Sequence, residues 1–232
     1  MELPIEWLPV EGPPQQLILL LHGWGGDGTS LAPLAQALRQ QFPQAAVLAP
    51  DAPDAADAPD TDSAGRPGPG GHQWYSVDAL TEANWPTRVA TALPALHQWV
   101  QAQQQRLGVD RAATCLGGFS QGAIVSLALA SLDDGLCGRV LAFGGRYAEV
   151  PLAAPRHTTV HLFHGGLDRV IPAQGSRDAL EHLAALRGDA TLDIADGVGH
   201  EVHPVLIDCA LHRLSSHIPL RTWQTALGGG PR

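Results

Sequence analysis

Gly118-Phe119-Ser120-Gln121-Gly122 is the stretch of this sequence best suited to covalent chemistry. A serine hydroxyl is a poor nucleophile near neutral pH. It needs a base, and the base needs a group to orient it. A G-x-S-x-G pentapeptide meets the first requirement only where a strand leads in and a helix leads out, because that turn lifts the serine Oγ clear of the chain. Here apolar residues 112–116 lead in and apolar residues 121–132 lead out. The flanking glycines suit a turn too sharp for a Cβ, and the helix that follows points its positive end at the site. In this arrangement an acid and then a histidine should follow in chain order, each just past a strand. Residues 158–163 read as a strand and run into His164-Gly165-Gly166-Leu167-Asp168; residues 190–194 read as another and run into Asp196-Gly197-Val198-Gly199-His200. The spacing therefore predicts Ser120 as nucleophile, His200 as base and Asp168 as its partner, with Asp193 and Asp196 as weaker rivals for the acid. Charge developing on a carbonyl oxygen needs aimed N–H donors. The backbone N–H of Gln121 is one candidate. The N–H of Trp24, in the loop His22-Gly23-Trp24-Gly25-Gly26, is the second.

The remaining histidines read as structural. His22 and His164 each close a strand and are expected to bond locally. His157, His161 and His164 lie on or beside one strand, whose alternation puts 161 and 164 on opposite faces. His200-Glu201-Val202-His203 misses the zinc-binding H-E-x-x-H spacing by one residue. No metal and no cofactor are expected.

The elements that must position these residues alternate between strand and helix. Residues 16–21 form a continuous apolar run, as expected of a strand buried on both faces. Ser30 is placed to cap a helix over 31–41. Residues 45–49 read as the next strand. Residues 50–72 dissolve into Asp, Pro, Ala and Gly; a loop of that length in a compact domain is usually functional or disordered. Its acids Asp51, Asp54, Asp57, Asp60 and Asp62 lack calcium-loop order and are expected to be solvated. Trp74-Tyr75 follow it, either lining a substrate pocket or packing in the core. A helix is expected from Asn84 or Trp85 to Leu107, bent at Pro94 and ended by Gly108. Further strands are expected at 139–143, 158–163 and 190–194, and helices at 172–187 and 203–217. This order predicts an α/β fold, with a mostly parallel central sheet and helices on both faces. Residues 1–218 read as one domain, and 219–232 as a flexible tail.

Composition narrows the chemistry. The chain has 232 residues, 44% of them apolar, and a formal charge of −9. An acidic surface argues against nucleic acid as a partner. All 14 basic residues are Arg, which excludes a Lys Schiff base and a phosphate-loop Lys. The three cysteines, Cys115, Cys137 and Cys209, show no metal spacing and suit a reducing cytoplasm. The N-terminus carries acids where a signal peptide would carry bases, and no apolar run is long enough to span a bilayer. Oligomeric state stays open; a homodimer is compatible with the sequence.

"LHGWGGDG", "GFSQGA", "HGGLDRVIP" and "GVGHE" together resemble the phospholipase/carboxylesterase family, which includes the acyl-protein thioesterases. "HQWYSV", "GRYAEV" and "ATLDIADGVGH" are similar to its small bacterial esterase branch. The resemblance covers about residues 15 to 217. It implies an α/β-hydrolase fold without a cap domain, acting on short- to medium-chain acyl esters or on thioesters. By motif match it gives Ser120, Asp168 and His200 the triad, and Trp24 and Gln121 the oxyanion hole. Eukaryotic members usually carry Leu where Trp24 stands, so a bulkier ring is expected beside the acyl site. They carry Asp-Pro where Asp168-Arg169 stands. The three functions weighed on these grounds are a carboxylesterase, a thioesterase using the same residues, and a catalytically silent binding module.

Overall fold

The structure is a computed structural model that describes residues 4–57 and 70–227. Seven strands form its main sheet, in the order β1-β3-β2-β6-β7-β8-β9. They are β1 (Ile5–Trp7), β2 (Gln16–Leu21), β3 (Ala45–Ala49), β6 (Thr114–Phe119), β7 (Arg139–Phe143), β8 (Thr159–Gly165) and β9 (Ala190–Ala195). Only β1 runs antiparallel, pairing Ile5 with Ala49 and Trp7 with Val47; all other neighbours are parallel. Two short strands, β4 (Asp54–Ala55) and β5 (His72–Gln73), pair apart from this sheet.

The continuous apolar runs have a simple cause: the central strands β2, β3, β6, β7 and β8 are buried on both faces. In β2, Leu17, Leu19 and Leu21 face one core and Ile18 and Leu20 the other. The first core is closed by α2 (Trp85–Leu107), α3 (Gln121–Leu132) and α4 (Gln174–Ala185). The second is closed by α1 (Ala32–Gln41) and α5 (Pro204–Ser216). Helix α3 is apolar nearly all round because it is wedged between the sheet and α2. Helix α2 continues unbroken through Pro94, whose ring is exposed, and ends at Gly108 with φ +65°. Between β7 and β8 the chain takes only residues 144–158 and forms no helix or strand there, so no cap domain covers the sheet edge.

The structure differs from expectation in four local respects. Strand β1 was unforeseen; three residues are too few to show a period. Ser30 does not cap α1. Its Oγ accepts the Asp27 N–H, while the Asp27 carboxylate accepts the Thr29 and Ser30 amides, so the pair closes a turn ahead of the helix. Asp57 is not a solvated acid. It accepts hydrogen bonds from Gln73 Nε2, Ser76 Oγ and the Val77 and Asp78 amides, at 2.7–3.1 Å. Asp51 likewise accepts from the Gly28 amide; Asp60 and Asp62 lie outside the described residues. Finally, the stretch read as a tail carries a helix, α6 (Leu220–Ala226). The Leu220 amide and His217 both bond the Asp189 carboxylate, and Arg221 donates to Thr159 Oγ1. Residues 228–232 lie outside the described residues.

Candidate active site

Strand β2 is followed by β3 on one side and later flanked by β6 on the other. The connections leaving β2 and β6 therefore diverge at their carboxyl ends and open a crevice, where ligands of such sheets bind. Ser120 sits on that edge, between the last residue of β6 and the first of α3. Its backbone is at φ +52°, ψ −115°, a conformation that side chains other than glycine rarely adopt. The neighbours enforce it. A Cβ on Gly122 would strike the Leu21 carbonyl oxygen, and one on Gly118 would strike the Gly122 backbone. The Ser120 N–H is tied to Phe143 O at the end of β7, 2.9 Å away.

The other two predicted residues meet this serine. His200, in the loop between β9 and α5, has Nε2 3.0 Å from Ser120 Oγ. Its Nδ1 lies 2.6 Å from Asp168 Oδ2. An ionised carboxylate only accepts, so Nδ1 carries the proton and Nε2 is free to accept the serine proton. The acid and histidine loops are themselves joined, the Leu167 amide donating to Val198 O at 2.8 Å. Phe119 packs against the imidazole, ring centres 4.7 Å apart. The rival acids are elsewhere: Asp193 is held by Arg213 on α5, and Asp196 is exposed.

The Asp168 side chain is fully buried and that of His200 is 16% exposed. Burial is the largest single influence on Asp168 and opposes its charge. The hydrogen bonds from His200 and from the Ile171 and Val170 amides together outweigh it, and its pKa falls below the ordinary carboxylate value.

Trp24 and Gln121 line the same cavity as Ser120. The Gln121 N–H is in the first turn of α3, where a helix offers no acceptor, and among the described residues neither it nor the Trp24 N–H has a hydrogen-bond partner. The Gln121 side chain has a task the sequence did not reveal. Its Oε1 accepts the Trp74 amide and its Nε2 donates to Tyr75 O, pinning the 74–75 segment against α3. Those two aromatics then part ways. Trp74 is buried, with Nε1 donating to His22 O. Tyr75 lines a cavity, and its hydroxyl accepts from Trp85 Nε1. The pocket expectation thus falls on Tyr75, while Trp74 meets the packing alternative because its ring is needed behind the 22–26 loop.

That cavity is a groove of about 1020 Å³, lined by Trp24, Tyr75, Leu80, Ser120, Ile124 and Ile171 among others. Asp57, Asp78, Glu82 and Asp178 also line it, with Arg146 as its one cation among the described residues. Arg146 lies over the Trp85 ring and bonds Glu82. It was missed because only its place after Gly144-Gly145, at the end of β7, marks it in the sequence. A second cavity of about 340 Å³ opens on the far side of Trp24, lined by Leu31, Leu34, Phe119, His200 and Val202 among others.

The family described as phospholipase/carboxylesterase matches residues 8–218. Esterase YpfH of Escherichia coli (strain K12) is 38% identical over 218 residues, covering 94% of this chain and 90% of that one. Acyl-protein thioesterase 1 of Eremothecium gossypii is 29% identical over 123 residues, about half of either chain (50% and 52%). Among solved structures, esterase PE8 superposes with a TM-score of 0.81 at 31% identity, covering 93% of this chain and 98% of that one. The match extends from β1's neighbourhood to the end of α5 and includes every residue gathered around Ser120; the chain belongs to the phospholipase/carboxylesterase family of hydrolases.

Proposed function

We propose that this protein is a serine carboxylesterase that cleaves short- to medium-chain acyl esters through an acyl-enzyme intermediate. The observation that carries this reading is the chain of contacts from Ser120 Oγ to His200 Nε2 (3.0 Å) and from His200 Nδ1 to Asp168 Oδ2 (2.6 Å). His200 takes the Ser120 proton as Oγ attacks the acyl carbon, and Asp168 stabilises the imidazolium so formed. The amides of Trp24 and Gln121, unpartnered among the described residues, receive the oxyanion. His200 then gives its proton to the departing alcohol, and water attacks the acyl-enzyme by the same route in reverse.

The groove supports this substrate class. Leu80, Ile124 and Ile171 offer an apolar wall to an acyl chain, while Asp78, Glu82 and Asp178 work against an anionic leaving group such as coenzyme A. A cytoplasmic setting fits the three free cysteines. A second reading, a thioesterase acting on neutral thioesters, is favoured by the similarity to an acyl-protein thioesterase. It uses the same residues.

Paired oxygen and sulfur esters of one acyl group, assayed on the wild type and on Ser120→Ala, test both readings. The oxygen ester should turn over at least as fast as the thioester, and the variant should lose roughly three or more orders of magnitude in kcat. A variant that keeps a tenth of the rate removes Ser120 from its role. Faster thioester turnover moves the assignment to the second reading.

A further inference from the structure

His164 is a fully buried polar ring at the carboxyl end of β8, where an apolar side chain would pack without cost. The reading above gives it no task. Its surroundings do. Nε2 lies 2.7 Å from Ile171 O and 3.3 Å from Asp168 Oδ2, the oxygen that also faces His200. Nδ1 lies 2.8 Å from Ser176 Oγ on α4. A carbonyl oxygen and a carboxylate both only accept, so Nε2 carries a proton and shares it between them. Ser176 Oγ faces two acceptors, Nδ1 at 2.8 Å and Gly145 O at 3.2 Å; the shorter contact gives its proton to Nδ1, and the ring is neutral. Burial, the largest influence on it, favours the neutral state as well, holding its pKa below the ordinary histidine value.

The consequence falls on the carboxylate. Oδ1 of Asp168 accepts the Val170 and Ile171 amides, both at 2.9 Å. Oδ2 has His200 on one side and His164 on the other. The Ile171 carbonyl, bonded to His164, belongs to the residue whose amide caps Oδ1, so the ring also fastens the loop that holds the acid. The titratable groups that bear on His164 are Asp168 and His200, from the β8–α4 and β9–α5 connections; α4 contributes only the Ser176 hydroxyl.

We infer that His164 is a positioning residue for Asp168: as a neutral, Nε2-protonated ring it keeps Oδ2 turned toward His200 and takes up part of the carboxylate's charge. The inference rests on the catalytic reading of Ser120, His200 and Asp168. Without this donor the acid would be freer to turn and would present more negative charge to His200. The protonated form of His200 would gain, so the acid limb of the rate profile would move to higher pH.

The test compares His164→Leu with His164→Gln, whose amide nitrogen can reach the Nε2 position. Thermal unfolding of each establishes that it folds. His164→Leu should lose roughly 10- to 100-fold in kcat, the effect of one hydrogen bond to a charged group, with KM within about twofold and the acid limb shifted upward. His164→Gln should recover most of the rate and the original profile. A folded His164→Leu with wild-type kcat and profile overturns the inference, as does a folded His164→Gln that is no better than the Leu variant. Nitrogen-15 imidazole spectra of the wild type give a reading independent of any variant. A neutral His164 protonated at Nε2 is expected; protonation at Nδ1 alone overturns it. Loss of activity in Ser120→Ala beside an unaffected His164→Leu removes only this inference, whereas an active Ser120→Ala removes the reading beneath it.

Discussion

In the proposed reaction a proton leaves Ser120 only when His200 is able to take it, so the rate should follow the charge on one ring. The Asp168 carboxyl, held below the ordinary carboxylate value, is already ionised wherever histidines titrate; it orients the base without gating it. We therefore expect kcat/KM to fall about tenfold per pH unit in acid, where His200 holds a proton, and to level off once the ring is free to accept one. A flat profile between about pH 5 and about pH 8 would exclude a histidine base. That Ser120, Asp168 and His200 meet was legible in the sequence because each follows a strong strand signal at one sheet edge. The proposed oxyanion donors, Trp24 and Gln121, are read by position alone, since a backbone amide has no side-chain signature. His164 was read as a local hydrogen-bonding residue. Its link to Asp168 depends on a return of the chain at Ile171 that no periodicity encodes.

At the scale of elements, strands and helices declare themselves where burial is regular. The run Leu17–Leu21 reads as a strand because both its faces meet apolar helices. Helix α6 is anchored by contacts to Asp189 and Thr159 that are distant in sequence, and so looked like a tail. The segment 70–78 shows the same blindness. Polar composition over residues 50–72 suggested solvated acids, yet Asp57 gathers four hydrogen bonds that fix Gln73 and residues 76–78 beside the groove. Hydrogen bonds from Ser76 and Gln73 are the main cause of a pKa lowered to about 2. The sign of the linkage follows: a depressed acid stabilises the fold above its unfolded value near 3.8 and loses that contribution as pH falls toward about 2. Asp57→Asn should lower Tm at neutral pH by roughly 2–4 °C, the shift that ~1 kcal/mol produces in a chain of this size. It should also flatten the dependence of Tm on pH between about 4 and about 2, and raise KM more than it lowers kcat. Unchanged melting at both pH values would show that these bonds contribute nothing.

On the scale of the whole molecule, the fold does one thing for the chemistry: it brings residues 120, 168 and 200 to one rim of a mostly parallel sheet. The order β3-β2-β6-β7-β8-β9 makes this possible, because each of the three loops leaves the carboxyl end of a strand and none needs to cross the sheet. With only residues 144–158 between β7 and β8, the rim stays open and the groove is bounded by the 70–80 segment, Trp24 and the start of α4. Among the described residues no helix is long and apolar enough to cross a membrane. Fold class was readable from alternation of elements; the acidic lining of the groove was not, since Asp57, Asp78, Glu82 and Asp178 come from three separate segments that only the folded chain unites.

The most direct test of the account is to treat the native protein with a fluorophosphonate and locate the adduct by peptide mass spectrometry. We expect one adduct, on Ser120, absent from Ser120→Ala and formed far more slowly in His200→Ala. An adduct on another residue at undiminished rate in Ser120→Ala, or none in a wild type that hydrolyses esters, would contradict it.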